Sequence, residues 1–370
     1  MKVVNYLSSS PWGSVTPQTL QEGMGGRETA LVHLGEQWAR QGHEVVNLVP
    51  VKRPFSKTYD SGGNISYVDN GITYNYLSNF NSDALVSWEE PRIFGVPDIR
   101  KKIKFSVIEM QVAHLYVTTD DGKSLDHYVD GYAVLSKWAG DFLSKNEPSI
   151  SKKKISILPQ GVDLKRFPTP KTKHPGHSPY NFHYSSSPDR GLHHLLKLWP
   201  QILKLYPGSK LHIAYGIEKW TEETKWTHNL QSEIALDVLE GIKQEGIVYH
   251  GRIGQDKLAK IIYESDLLLY SCDTMSPTET GCATILESLA AGTPVITTDC
   301  DCIDSEFSSV SYQSKLPFDE DDYLSEIVYI LNTPDEYQLL QKDGRFLAEQ
   351  RDWPVIADQW VEYLEAGIAC

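Results

Sequence analysis

Two carboxylates, Glu279 and Glu287, flank seven residues in Glu279-Thr-Gly-Cys-Ala-Thr-Ile-Leu-Glu287, and Ser-Leu-Ala-Ala-Gly292-Thr-Pro294 follows as a turn into an apolar run. A strand is expected over 267–270, its exit loop over 271–278, and then a helix that starts at Cys282 or Ala283 and ends near Ala291. Strand exits facing helix N-termini are where open α/β sheets bind ligands. The first N–H groups of that helix, around Gly281, Cys282 and Ala283, point outward and can hold a diphosphate with help from the positive end of the dipole. If the segment is wholly helical, eight residues of rise separate the carboxylates by about 12 Å, so that one can meet a ribose diol and the other a sugar beyond the diphosphate. One nucleotide sugar can bridge them. Taken singly, either glutamate is more often a loop charge or a solvated helix residue.

The elements that must carry this segment follow a pattern that occurs twice. Short β-branched or aromatic runs at 3–7, 45–49, 105–112, 132–135 and 155–158 form one set, with a helix over 29–41. Runs at 180–185, 210–215, 247–250, 267–270 and 295–298 form the second, with helices over 192–205 and 256–265. Such alternation builds parallel sheets wrapped by helices, so the fold class is α/β with two Rossmann-like domains. Between the sets, Pro168, Pro170, Pro175, Pro179 and Gly176 favour an extended connector. The expected division is 1–167, 168–350 and a final helical segment 351–370, in which Trp353, Ile356, Trp360, Tyr363 and Leu364 share one face and need a packing partner. Turns at Gly62-Gly63 and Asn70-Gly71 suggest a hairpin-like insertion in the first sheet. No internal repeat is visible.

The whole run Glu279 to Ile296 resembles the E-x7-E signature of retaining GT-B glycosyltransferases of family GT4, the glycosyl transferases group 1. Further segments stand in that family's order: Gly25-Gly26-Arg27-Glu28-Thr29-Ala30, Gln41-Gly42-His43-Glu44-Val45, Leu158-Pro159-Gln160-Gly161-Val162-Asp163, Ser185-Ser-Ser-Pro-Asp-Arg190-Gly191-Leu192, His250-Gly251-Arg252-Ile253 and Trp353. The resemblance implies two domains facing a central cleft, a first domain for the acceptor, a second for the donor, and a last helix crossing back to the first. It implies transfer of a sugar, with retained configuration and no metal, from a UDP-, GDP- or ADP-sugar to a hydroxyl of a glycan or similar acceptor. On the same ground Glu279 orients the donor sugar, Glu287 meets the ribose, and Arg190 with the Gly281, Cys282 and Ala283 N–H groups holds the diphosphate. Gly25 and Gly26 wall the acceptor and diphosphate site, and Gly254 and Arg252 lie in the loop that holds the base. His114 stands where the family often has a histidine on the donor sugar, with 118–121 as the alternative source of contacts and a structural role as the plainer account. Arg190 takes the place of the family's lysine, and Ser185 that of a basic residue; Arg27 and Lys137 are the candidates to compensate. Cys282 takes the place of a glycine and reads as a small side chain rather than a nucleophile.

Composition removes other classes. Thirty-five basic and 49 acidic side chains give a net charge of −14, which disfavours a nucleic-acid partner. Up to Arg166 the balance is 19 to 18, and beyond it 16 to 31. Lys101, Lys102 and Lys104 with Lys152 to Lys154 fall in the neutral half and leave room for a weak peripheral membrane contact there, a solvated face being the plainer account. No apolar run is long enough to export or span, and five cysteines without a zinc-like spacing read as cytosolic thiols. Asp299-Cys-Asp301 and Asp319-Glu-Asp321 read as surface or turn acids. Gly23-Met-Gly25-Gly26 lacks the spacing of a dinucleotide fingerprint. Two rivals remain, a nucleotide-sugar epimerase of the same fold and a catalytically silent nucleotide-sugar or glycan binder.

Overall fold

A computed structural model describes residues 1–72, 81–95, 97–112, 125–170, 176, 178–224, 229–274 and 277–370. The chain divides into two compact units. Unit 1 comprises 1–20, 24–161 and 351–370, and unit 2 comprises 21–23 and 162–350.

Unit 1 holds the strands β1 (Lys2–Tyr6), β2 (Glu44–Val49), β3 (Phe55–Thr58), β4 (Asn64–Asp69), β5 (Ser82–Trp88), β6 (Ile103–Met110), β7 (Gly131–Val134) and β8 (Ile155–Ile157). They lie in the order β3-β4-β2-β1-β5-β6-β7-β8, parallel throughout except for the β3–β4 pair. Helices α1 (Gly26–Arg40), α2 (Pro97–Arg100) and α3 (Lys137–Asn146) join them. Alternate residues of the central strands feed two cores, as both faces of a parallel sheet must be covered. Val3, Val45, Val86 and Val107 pack on one side with α1, and Val4, Val46, Leu85 and Ile108 on the other with Ala139 and Leu143 of α3.

Unit 2 is a parallel sheet in the order β11-β10-β9-β12-β13-β14, made of β9 (Asn181–Tyr184), β10 (Lys210–Ile213), β11 (Ile247–Tyr249), β12 (Leu267–Leu269), β13 (Val295–Thr298) and β14 (Tyr312–Ser314). Its helices are α4 (Leu192–Leu205), α5 (Ile217–Thr224), α6 (Asn229–Gly241), α7 (Gln255–Glu264), α8 (Ala283–Ala290), α9 (Cys302–Phe307), α10 (Glu320–Asn332) and α11 (Pro334–Glu349). Phe182, Leu268 and Ile296 of the central strands share one core with Trp199, Ile285 and Ile327 from α4, α8 and α10.

The last helix, α12 (Trp353–Ala369), belongs to unit 1. Trp353, Ile356, Ala357, Trp360 and Leu364 enter its core, with the Trp360 ring edge-on to Trp38 of α1 at 5.8 Å. Trp353 stacks on His33 at 5.3 Å, and a Cβ on Gly161 would stand 2.3 Å from the Trp353 ring. No helix among the described residues is long and apolar enough to cross a membrane.

Three expectations change. α1 starts at Gly26 rather than at 29, because Gly25 caps it in an extended conformation with no side-chain cap to announce the start. β3 and β4 do form the expected antiparallel hairpin across Gly62-Gly63, but β4 also pairs in parallel with β2 over six residues, so it is an integral strand and not an insertion. β5, absent from the sequence reading, is a central strand between β1 and β6.

Candidate active site

In unit 2 the strand order reverses between β9 and β12, and the crevice outside the carboxyl ends of such a pair is where doubly wound sheets take ligands. The two exit loops meet there through an isolated bridge between Arg190 and Thr274. Gly191 makes the meeting possible. It caps α4 at φ 80°, and a Cβ would stand 1.7 Å from the Ser271 carbonyl oxygen, while Ser271 Oγ donates to the Gly191 carbonyl at 2.7 Å.

This crossing brings Arg190 to Glu279, Nε to Oε2 at 3.6 Å. The guanidinium also donates to Thr278 Oγ1. Burial is the largest single influence and works against the Arg190 charge, but Glu279, Tyr270, Asp189 and Cys272 together outweigh it and hold the guanidinium more firmly protonated than an ordinary arginine. Glu279 is 8% exposed; its Oε2 accepts from Tyr270 Oη at 2.6 Å and its Oε1 from the Cys282 N–H at 3.1 Å. One of the three amides expected at the diphosphate is therefore directed at Glu279. Glu279 also precedes α8, so the premise of a continuous helix between the two glutamates fails.

Cys282 is the N-cap of α8 at φ 31°, a left-handed conformation that glycine adopts without strain. Burial above all drives its thiol well above the ordinary range, with Glu279 adding to it, which fits the small-side-chain reading rather than a nucleophile. Asp301, expected as a surface or turn acid, is a correction. Its Oδ2 accepts from the Thr278 and Glu279 amides and from Thr274 Oγ1, each at 3.0 Å, and its own backbone is strained at φ 51°. Asp319 serves a local turn by accepting from the Asp322 amide, whereas Asp299 accepts from the Leu316 amide 17 residues on and pairs with Lys315 at 3.1 Å.

Glu287, on α8, pairs with Arg166, Nη1 to Oε1 at 2.8 Å. Sequence reasoning passed over Arg166, whose partner is 121 residues away. Gly254 caps α7, and Arg252 donates through Nε to the Gly23 carbonyl at 2.9 Å within the same unit. Ser185 gives its carbonyl to Thr284 Oγ1 at 2.9 Å, and its buried hydroxyl oxygen has no hydrogen-bond partner among the described residues. His114 and 118–121 lie outside the described residues.

Unit 1 has its own switch point, between β1 and β5. There Gly25 caps α1 and Gly26 opens it, beside the Gln111 and Gln160 amides. Arg27 is held by Glu89 at 2.6 Å and Glu28 at 3.1 Å, and Lys137 by Asp141, so both cations considered for the role of Ser185 are paired inside unit 1. Glu89, in a left-handed conformation at φ 60°, and Glu109, 1% exposed at the end of β6, were also missed. Glutamates closing apolar strands, as in Val86-Ser-Trp-Glu89 and Val107-Ile-Glu109, were the available signal. Lys101, Lys104 and Lys154 of the basic clusters pair with Asp98, Asp83 and Asp126, which weakens any single-sign patch.

Residues 182–330 match the protein family described as Glycosyl transferases group 1. Unit 2 carries a glycosyl transferases group 1 domain. The two parallel-sheet units have the fold of GT-B glycosyltransferases of known structure. Sucrose-phosphate synthase from Thermosynechococcus elongatus is similar over 99% of this chain and 98% of its own, at TM-score 0.72 and 16% identity. Anabaena HepE, solved in complex with UDP-glucose, is similar over 99% and 100%, at TM-score 0.68 and 12% identity. AviGT4, a glycosyltransferase of avilamycin A biosynthesis, is similar over 100% and 98%, at TM-score 0.63 and 15% identity. No curated protein matches the sequence significantly.

Proposed function

We propose that the chain is a retaining, metal-independent glycosyltransferase of the GT4 type that moves a sugar from a nucleotide diphosphate sugar to a hydroxyl of a glycan or similar acceptor. The observation that carries this reading is the convergence of Glu279, Arg190 and the N-terminus of α8 at the β9/β12 switch point. HepE, which binds UDP-glucose, supports a nucleotide-sugar donor. Four buried thiols and one exposed one, none in a disulfide, fit work in the cytoplasm.

Arg190 and the Gly281 and Ala283 N–H groups hold the diphosphate, while the Cys282 N–H fixes Glu279 against the donor sugar. Glu287 takes the ribose hydroxyls. As the bond from the anomeric carbon to the diphosphate oxygen breaks, Arg190 and the amides stabilise the negative charge that develops, and no metal is required for that. The acceptor oxygen bonds to the anomeric carbon on the same face, and its proton passes to the departing diphosphate.

An NMR time course with UDP-, GDP- and ADP-sugars tests this. Slow hydrolysis of one donor with retained configuration, lost in Glu279→Ala and Arg190→Ala, is expected. Inverted product overturns the retaining assignment, and a free inverted sugar formed without acceptor supports an epimerase. A donor that binds in calorimetry yet is not turned over with any acceptor offered supports the silent binder, the reading favoured by the missing basic residue at Ser185.

A further inference from the structure

Arg166 stands on a short turn just inside unit 2 and is 8% exposed at its side chain. Its guanidinium makes two directed contacts, Nη1 to Glu287 Oε1 at 2.8 Å and Nη2 to the Gln255 carbonyl at 2.6 Å. Glu287 lies on α8, and Gln255 opens α7 just after the Gly254 cap. One planar fork therefore joins the helix bearing the ribose carboxylate to the helix that follows the base loop. Glu287 has three rotatable side-chain torsions, and an unrestrained carboxylate would lose that freedom each time it met a diol.

We propose that Arg166 is a positioning residue for the nucleoside half of the donor, holding Glu287 through one carboxylate oxygen so that the carboxylate is set for the ribose hydroxyls. This rests on the donor reading above. A buried pair of this kind adds little net stability, because desolvation offsets most of its attraction, but losing one partner strands the other's charge. The pairing is thus better explained by what it orients than by what it stabilises.

The test is calorimetric binding of UDP, GDP and ADP and of their 2′-deoxy forms to the wild-type protein, Arg166→Gln and Arg166→Lys. Wild type is expected to prefer the ribonucleotide about tenfold, the scale of one hydrogen bond to a charged group. Arg166→Gln is expected to lose that preference, weakening the ribonucleotide about tenfold and the deoxynucleotide by less than twofold. Arg166→Lys keeps a cation against Glu287 without the second arm and is expected to recover part of the preference; it also serves if Arg166→Gln does not fold. Equal weakening of both forms, or no weakening, overturns the positioning role while the donor reading stands. Wild type binding both forms equally overturns it too, by removing Glu287 from the ribose. Failure of wild type to bind any of the nucleotides overturns the donor reading and this inference with it.

Discussion

Asp301 Oδ2 accepts the backbone amide of Glu279 at 3.0 Å, so the carboxylate assigned to the donor sugar is held by a second carboxylate, 22 residues further along the chain. The same oxygen takes the Thr278 amide at 3.0 Å, and the Cys302 N–H returns to the Glu279 carbonyl at 3.2 Å. Asp301→Ala strands two amides, which costs on the order of 2–4 kcal/mol at about 1–2 per group. We expect a urea midpoint lowered accordingly and donor turnover reduced roughly a hundredfold, with nucleotide affinity nearly unchanged, since Glu287 and Arg166 are untouched. A parallel loss of turnover and nucleotide affinity would count against this local role.

Arg190→Lys separates charge from shape. Lysine keeps the cation beside Glu279 but cannot also reach Thr278 Oγ1 with a planar fork. Donor turnover is expected to fall about tenfold, a loss of roughly 1.4 kcal/mol in transition-state stabilisation. Unchanged steady-state kinetics would show that the bidentate geometry is irrelevant.

Cys282 combines a strained backbone with an inert thiol. Cys282→Gly relaxes the left-handed cap and is expected to keep activity, with a stability gain of up to about 1 kcal/mol less whatever the buried thiol contributes to packing. Under native conditions iodoacetamide should label the exposed Cys370 and spare Cys282, read by peptide mass spectrometry. Rapid alkylation of Cys282 with loss of turnover would reopen the nucleophile reading.

Glu109 predicts a pH effect of definite sign. Burial first, and then the Glu89 charge, push its carboxyl well above the ordinary value of 4.5, so the folded protein keeps it protonated where the unfolded chain is ionised. Its contribution to stability is complete below that ordinary value and is lost as pH rises toward the folded value. Glu109→Gln replaces the acid with a neutral amide of the same shape, so thermal unfolding should show the variant gaining on wild type as pH rises above the ordinary carboxyl value of 4.5. A difference that stays constant across that range would place an ordinary ionised glutamate at this position.

Legibility in the sequence followed the range of the interactions. α4 is legible as 192–205 because its apolar residues repeat at helical spacing, and β13 is because it is an unbroken β-branched run after a Gly-Thr-Pro turn. The start of α1 is not legible because a glycine cap leaves no polar signature, and β5 is not because Ser82–Trp88 mixes small, acidic and apolar residues without clean alternation. In the candidate site, Glu279 and Arg190 were visible through motif context. Asp301 is not legible because the two amides it accepts have no signature of their own, and Arg166 is not because its partner lies 121 residues further along the chain.

The placement of α12 has a consequence for biosynthesis. Unit 1 needs Trp353, Ile356, Trp360 and Leu364 for its core, whereas unit 2 needs nothing after Gln350. As the chain leaves the ribosome, the unit begun first is completed last, and until the final helix emerges the apolar surface around His33 and Trp38 stays open to solvent. A chain stalled or clipped before α12 would therefore release a finished second unit attached to an unfinished first one.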